Sequence, residues 1–229
     1  GMDALLPHKE IKYDDGKILV DGKTRQSTED RDKLLKEYNP DAIAVKYDDI
    51  ISLNRNDFRS TFKGKKLAYI FHNQIYARGD NTYTENEVFD SCQEAIDEII
   101  KIVAKLTDTA NFVNFIITSD HGFIYKRDKL EESGKISFDN ISSIYKNKRF
   151  ILTDKQTDID GTICFNLDYI NNPDIYVTTP KGVDIFKTSG SGLNYVHGGA
   201  SLEECIIPLV EVKAKSGAKN QTTVNLTLI

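Results

Sequence analysis

The stretch Phe112–Tyr125, FVNFIITSDHGFIY, decides how the rest of the chain is read. It opens as an apolar run, Phe112, Val113, Phe115, Ile116 and Ile117, broken only by Asn114. So short a run with so little polarity predicts a strand buried on both faces, as in a parallel sheet. The run stops at Thr118-Ser119-Asp120-His121-Gly122, which puts a carboxylate and an imidazole where the strand ends. In open α/β sheets ligands gather beyond the carboxyl ends of the strands, and both side chains are good metal ligands. Neighbours on a straight strand point to opposite faces. Asp120 and His121 therefore share an ion only if the chain turns, which Gly122 makes easier. A solvated turn is the competing reading of so short a motif. Against it stands Tyr195-Val196-His197-Gly198-Gly199-Ala200-Ser201, another histidine in a glycine-rich loop before a helix start.

Working outward, the segment ahead of Phe112 predicts a long helix. Thr84 and Glu87 have capping-box spacing, and Val88, Cys92, Ala95, Ile96, Ile99, Val103 and Leu106 recur at helical spacing. Leu67–Phe71 before it reads as a buried strand, so strand, helix and strand over Leu67–Ile117 predict a parallel βαβ unit. Earlier still come strands at Ile18–Val20 and Ala42–Val45. A helix over Thr28 to Glu37 is capped by Ser27 or Thr28, and another spans Asn54 to Phe62. Beyond Tyr125, short strands at Arg149–Thr153, Thr162–Leu167, Ile175–Thr178 and Asp184–Phe186 predict an antiparallel extension. Ser201 and Glu204 form a second capping box. Ile206–Val212 reads as a strand in which Pro208 argues for an edge or irregular position, and Thr223–Ile229 alternates as a terminal strand.

The chain has 229 residues, 39% hydrophobic and 28% charged, which suffices for a packed domain. A net charge of -5 gives no global drive toward nucleic acid or anionic membrane. No apolar stretch spans a bilayer and no secretory signal is visible, so a cytoplasmic protein without membrane partners is expected. Cys92, Cys164 and Cys205 form no CxxC pair and read as buried thiols. Gly1 reads as a tag remnant, and Met2–Pro7 as the end of a helix that begins earlier, so an N-terminally truncated domain is expected. His72 reads as a structural residue at a strand end.

Four stretches in this order, Ala4-Leu5-Leu6-Pro7-His8-Lys9, Phe71-His72-Asn73-Gln74-Ile75 with Gly79-Asp80, Thr118–Tyr125, and His197-Gly198-Gly199-Ala200-Ser201, resemble the PglZ family. This is a branch of the alkaline phosphatase superfamily associated with BREX phage-exclusion systems, and the resemblance runs from about Met2 to Val212. It implies an α/β/α sandwich with a mostly parallel central sheet (about 17–125 and 197–213) and a small antiparallel cap (about 126–196). The whole chain, 1–229, would then be the C-terminal part of a PglZ domain.

The resemblance also implies a two-metal site. Asp120 and His121 match the Asp-His pair of one metal. His197 matches the late histidine of the other, and Asp80 its second ligand, an aspartate where histidine is usual. Tyr76 falls where an acidic ligand belongs. The metals implied are divalent, zinc or alternatively manganese. The substrates implied are phosphodiesters or phosphomonoesters, nucleic acid or nucleotides among them, and the partners are other BREX proteins. The superfamily's serine or threonine nucleophile precedes the segment matching Met2–Pro7, so the chain alone is expected to be inactive although its parent is a hydrolase. Tyr76 favours the alternative of a degenerate, non-catalytic module acting as an interaction scaffold.

Overall fold

The structure is a computed structural model that describes residues 1–79, 84–128, 131–138, 141–188 and 194–215. In chain order its elements are β1 (Ile11–Asp14), β2 (Lys17–Val20), α1 (Thr28–Tyr38), β3 (Ala42–Lys46), α2 (Tyr47–Ile51), α3 (Arg55–Phe62), β4 (Leu67–Phe71) and α4 (Gln74–Gly79). There follow α5 (Val88–Ala110), β5 (Asn114–Thr118), β6 (Ile124–Tyr125), β7 (Lys135–Ile136), β8 (Tyr145–Lys146), β9 (Ile151–Thr153) and β10 (Thr162–Leu167). The last are β11 (Asn172–Pro180), β12 (Ile185–Phe186), β13 (Tyr195–Val196), α6 (Leu202–Cys205) and β14 (Leu209–Lys213). The expected strand at Thr223–Ile229 lies outside the described residues. Among the described residues no helix is long and apolar enough to cross a membrane. The chain divides into two interleaved units.

One unit comprises Arg25–Ala77, Val88–Ser119 and the chain from Pro208 onward. Its β3 and β4 pair in parallel, Ala42 opposite Leu67 through Lys46 opposite Phe71, connected through α2 and α3. Ser27 caps α1, accepting from the Asp30 amide at 3.0 Å while the Asp30 carboxylate accepts from the Ser27 amide. Tyr47, Ile50, Phe58 and Phe62 form a core with Ile102 and Leu106 of α5, and Ile43, Val45, Ala68, Ile70 and Phe115 pack against it. The buried face of α5 is rotated from the expected one. Val88, Ser91, Ala95, Ile102 and Leu106 are buried, while Ile96 is 53% exposed. Lys105 reaches from α5 to the end of α2, donating to the carbonyls of Ile51 (2.7 Å) and Leu53 (2.9 Å) over the Phe58 ring. It thereby satisfies carbonyls that a helix end leaves without partners. His72 is structural as expected, its Nε2 2.5 Å from Glu98 Oε2 and its ring edge-on to Tyr47.

Strand β5 departs from expectation in two ways. Its registered partner is β14, antiparallel, with Leu209 opposite Thr118 and Lys213 opposite Asn114. The parallel βαβ pairing in this unit therefore belongs to β3 and β4. Nor is β5 buried on both faces: Phe115 and Ile117 turn inward, while Ile116 is 70% exposed. An outward isoleucine makes a period-two strand read like a doubly buried one.

The other unit comprises Gly1–Thr24, Arg78–Glu87 and Asp120–Ile207. A 3-10 turn at Met2–Leu5 stands where a helix end was expected. The hairpin of β1 and β2 turns on Asp15 (φ 42°) and Gly16 (φ 77°), the two positive φ values of a type I′ loop. The antiparallel extension is present as a four-stranded sheet in the order β10-β11-β9-β8. Strand β11 begins at Asn172 and runs through Pro173 to Pro180, longer than the expected Ile175–Thr178. Two smaller pairs complete the unit, β7 with β12 in parallel and β6 with β13 antiparallel. The Thr84 hydroxyl donates to the Arg78 carbonyl, and a 3-10 turn at Glu85–Glu87 precedes α5 where the capping box was expected. The three cysteines are free thiols, but Cys205 is exposed and the others half-buried. Cys205 closes the one-turn α6, whose inward residue is Glu204, not the thiol.

The chain is thus mixed α/β. Among the described residues, parallel pairing is confined to β3–β4 and β7–β12, and the other ladders are antiparallel.

Candidate metal centre

Strands β6 and β13 are only two residues each, yet their pairing assembles the site. Ile124 lies opposite Val196 and Tyr125 opposite Tyr195. Antiparallel register sets the residues before β6 beside those after β13. That brings Asp120-His121-Gly122 next to His197-Gly198-Gly199. Phe123 and Tyr195 pack at 4.9 Å beneath the loops, so these aromatics serve packing.

The His121 ring is oriented by its own neighbour: Nδ1 lies 2.8 Å from the Gly122 carbonyl oxygen. A carbonyl only accepts, so Nδ1 is the donor of this bond, and in the neutral ring Nε2 is the nitrogen left to bind an ion. Nε2 lies 3.8 Å from Asp120 Oδ2. Two donors of a tetrahedral zinc, each about 2.0–2.1 Å from the ion, stand roughly 3.4 Å apart, so this carboxylate and imidazole fit one ion after a small side-chain rotation. A backbone partner on the far nitrogen is the usual support of a metal-binding imidazole. Gly1 lies against the same pair, since a β-carbon on it would stand 3.0 Å from Asp120 Oδ2.

His197 is stacked on His121, with ring centroids 4.5 Å apart and planes 12° from parallel. A ligating imidazole holds its ion close to its ring plane, about 2.1 Å from nitrogen. Planes this nearly parallel do not meet within that distance, so the two rings suit neighbouring ions rather than one shared ion. Tyr195 stands edge-on to His197 at 6.0 Å. Gly198 has φ 101°, a conformation that favours glycine.

Beneath the loops is a buried ion pair that no sequence motif announced. Arg149 and Glu204 are 0% and 3% exposed. Arg149 Nε donates to Glu204 Oε1 (2.9 Å) and Nη2 to Oε2 (2.6 Å). The guanidinium also donates to the carbonyls of Gly182 and Asp184. Glu204 accepts further from the amides of Gly199 (2.8 Å) and Ser201 (3.2 Å), the latter being the glutamate arm of the expected capping box. Burial pushes the Glu204 carboxyl up, but the bonds from Arg149, Gly199 and Ser201 outweigh it and hold the group below the usual carboxylate range.

Of the four expected site residues, the structure brings Asp120, His121 and His197 together, and Asp80 lies outside the described residues. Among the described residues no group of three or more His, Cys, Asp or Glu side chains is placed to hold a metal ion. The fit at Asp120–His121 is therefore that of two donors. Tyr76, on α4, is 42% exposed.

The profile of the BREX system PglZ alkaline phosphatase-like domain matches residues 1–212. The chain belongs to the PglZ family. It is 39% identical over 216 residues to the alkaline phosphatase-like protein PglZ of Bacillus cereus (strain H3081.97), covering 93% of this chain and 25% of that protein. It is 30% identical over 232 aligned positions to the alkaline phosphatase-like protein BrxZ of Escherichia coli O9:H4 (strain HS), covering 96% of this chain and 26% of that one. The chain thus spans about a quarter of the length of these PglZ relatives. No solved structure matches.

Proposed function

We propose that this chain is the metal-binding part of a PglZ-type phosphoesterase working in cytoplasmic phage defence. Membership of the family supports this, as do the relatives' names, which describe alkaline phosphatase-like proteins. The observation that carries it is the placement of the His121 ring, with Nδ1 held 2.8 Å from the Gly122 carbonyl oxygen and Nε2 3.8 Å from Asp120 Oδ2. In this reading Asp120 and His121 hold one divalent ion, zinc or alternatively manganese, and His197 with Asp80 contributes to a second. Such ions stabilise the charge on phosphoryl oxygens and lower the pKa of an attacking group. The chain's own residues orient and separate the donors. The proposed substrates are phosphodiesters or phosphomonoesters, nucleic acid or nucleotides included, and the proposed partners are other BREX components. The central sheet is proposed to be the mostly parallel sheet of an alkaline-phosphatase-like sandwich.

Tyr76 favours a second reading, a scaffold that binds defence partners without catalysis, because a neutral phenol is a poor ligand where the superfamily has an acid. The test reads metal content and not turnover, because metal content reports directly on the proposed ligands. The purified chain is equilibrated with zinc or manganese, desalted and analysed beside the double variant Asp120→Ala/His121→Ala. Bound metal that the double variant loses is the expected result. Equal metal in both chains would sink the assignment of Asp120 and His121.

A further inference from the structure

The two histidine loops come from segments far apart in sequence, and one residue grips both. The main-chain carbonyl of Glu204 accepts from the Gly122 amide at 2.8 Å, one residue past His121. Its carboxylate accepts from the Gly199 amide at 2.8 Å, two residues past His197. Arg149 fixes the carboxylate by two parallel bonds and is itself pinned to the carbonyls of Gly182 and Asp184. Such fork-to-fork pairing fixes both partners' orientation. The glycines let the backbones come this close. A β-carbon on Gly122 would collide with the Glu203 carbonyl oxygen, and one on Gly199 would lie 2.7 Å from Glu204 Oε2 and 2.8 Å from Arg149 Nη2.

We propose that Glu204, held by Arg149, is a positioning residue that sets the spacing and ring stacking of His121 and His197. The proposal deepens the metal-centre reading above, since the spacing it sets would be that of the two ion sites. Glu204 acts through the backbones of Gly122 and Gly199. A carboxamide at this position sets an NH₂ against Arg149 Nε and the Gly199 amide if it takes the Oε1 place, or against Arg149 Nη2 and the Ser201 amide if it takes the Oε2 place, so in either orientation the side chain loses bonds that hold it in register.

The test reads the histidine rings directly, by long-range 1H–15N correlation spectra of the metal-free chain. In the wild type His121 should show a single Nδ1–H tautomer. In Glu204→Gln the His121 and His197 signals should shift and the tautomer should become mixed. The His72 signals, held by Glu98 in the other unit, should stay put as the internal control for folding. Zinc affinity, measured by competition with a chromophoric chelator, should fall about 10- to 100-fold, the usual loss when a support of a metal ligand is removed. Where Glu204→Gln does not fold, Gly199→Ala moves the His197 loop off an intact Arg149–Glu204 pair and should give the same ring shifts. Unchanged His121 and His197 spectra in a folded variant would overturn the proposal. A wild-type chain whose zinc isotherm equals that of Asp120→Ala would defeat the metal reading instead, and the ring spectra would still decide the positioning role.

Discussion

Replacing Arg149 by methionine removes the guanidinium but keeps a long apolar stem. The Glu204 carboxylate then stays buried, stripped of its bonds to Nε and Nη2 and left with the amides of Gly199 and Ser201. The carbonyls of Gly182 and Asp184 lose a donor as well. Breaking a buried pair from one side costs about 3–5 kcal/mol, a large share of the roughly 5–15 kcal/mol that holds a typical domain. The effect depends on pH. In the wild type the folded carboxyl lies below its unfolded value. Its stabilisation is therefore present above the unfolded pKa, about 4.3, and is lost as pH falls through the folded pKa. In Arg149→Met burial is no longer outweighed by the guanidinium, so the folded carboxyl rises and protonation relieves the penalty. The gap between the two proteins should thus be widest near pH 7 and narrow toward about pH 4. Urea denaturation followed by near-ultraviolet circular dichroism measures it. Adding Glu204→Leu to Arg149→Met should recover much of the loss, because apolar replacements of both partners are well tolerated. A loss under about 1 kcal/mol near neutral pH, the size of a surface pair, or a gap indifferent to pH, would refute the reasoning.

Lys105→Met keeps the stem but removes the ammonium from the carbonyls of Ile51 and Leu53. We expect a loss of about 1.5–3 kcal/mol, as for hydrogen bonds to a charged group, and faster amide exchange over Tyr47–Ile51. Unchanged exchange there would mean that the helix end is held by packing alone. Gly122→Ala forces a β-carbon onto the Glu203 carbonyl oxygen, backbone against backbone. A cost of about 1–3 kcal/mol is expected, read from urea denaturation, and a stability equal to wild type would contradict so close an approach of the two backbones.

The local signals were the legible ones. Ser27 or Thr28 marked the start of α1, the apolar repeat marked α5, and short β-prone runs marked the antiparallel strands. These depend on neighbours within a few residues, where propensity and capping act. Pairing was less legible. Nothing near Phe112 states that β5 takes β14 as an antiparallel partner, and an outward Ile116 imitates burial. Ile11–Asp14 was missed because its alternation is short and mostly polar. At the candidate centre the donor types and glycines were visible, and their meeting was not. It rests on β6 and β13, two residues each and too short to show a period. Arg149 gave no signal, since it follows Lys146 and Lys148 and reads as one more solvated base. Glu204 announced itself only as a helix cap.

The glycine contacts around Glu204 also bear on how such a chain is able to change. Arg149, Glu204, Gly122 and Gly199 occupy one another's space and share hydrogen bonds. Substitutions that share partners in this way do not add. A drifting sequence therefore meets them as a single character: an altered residue at any one position is disfavoured until its neighbours alter with it. Recombination that exchanged the segment around Gly122 between distant relatives, leaving the one around Gly199 behind, would separate parts that fit only as a set.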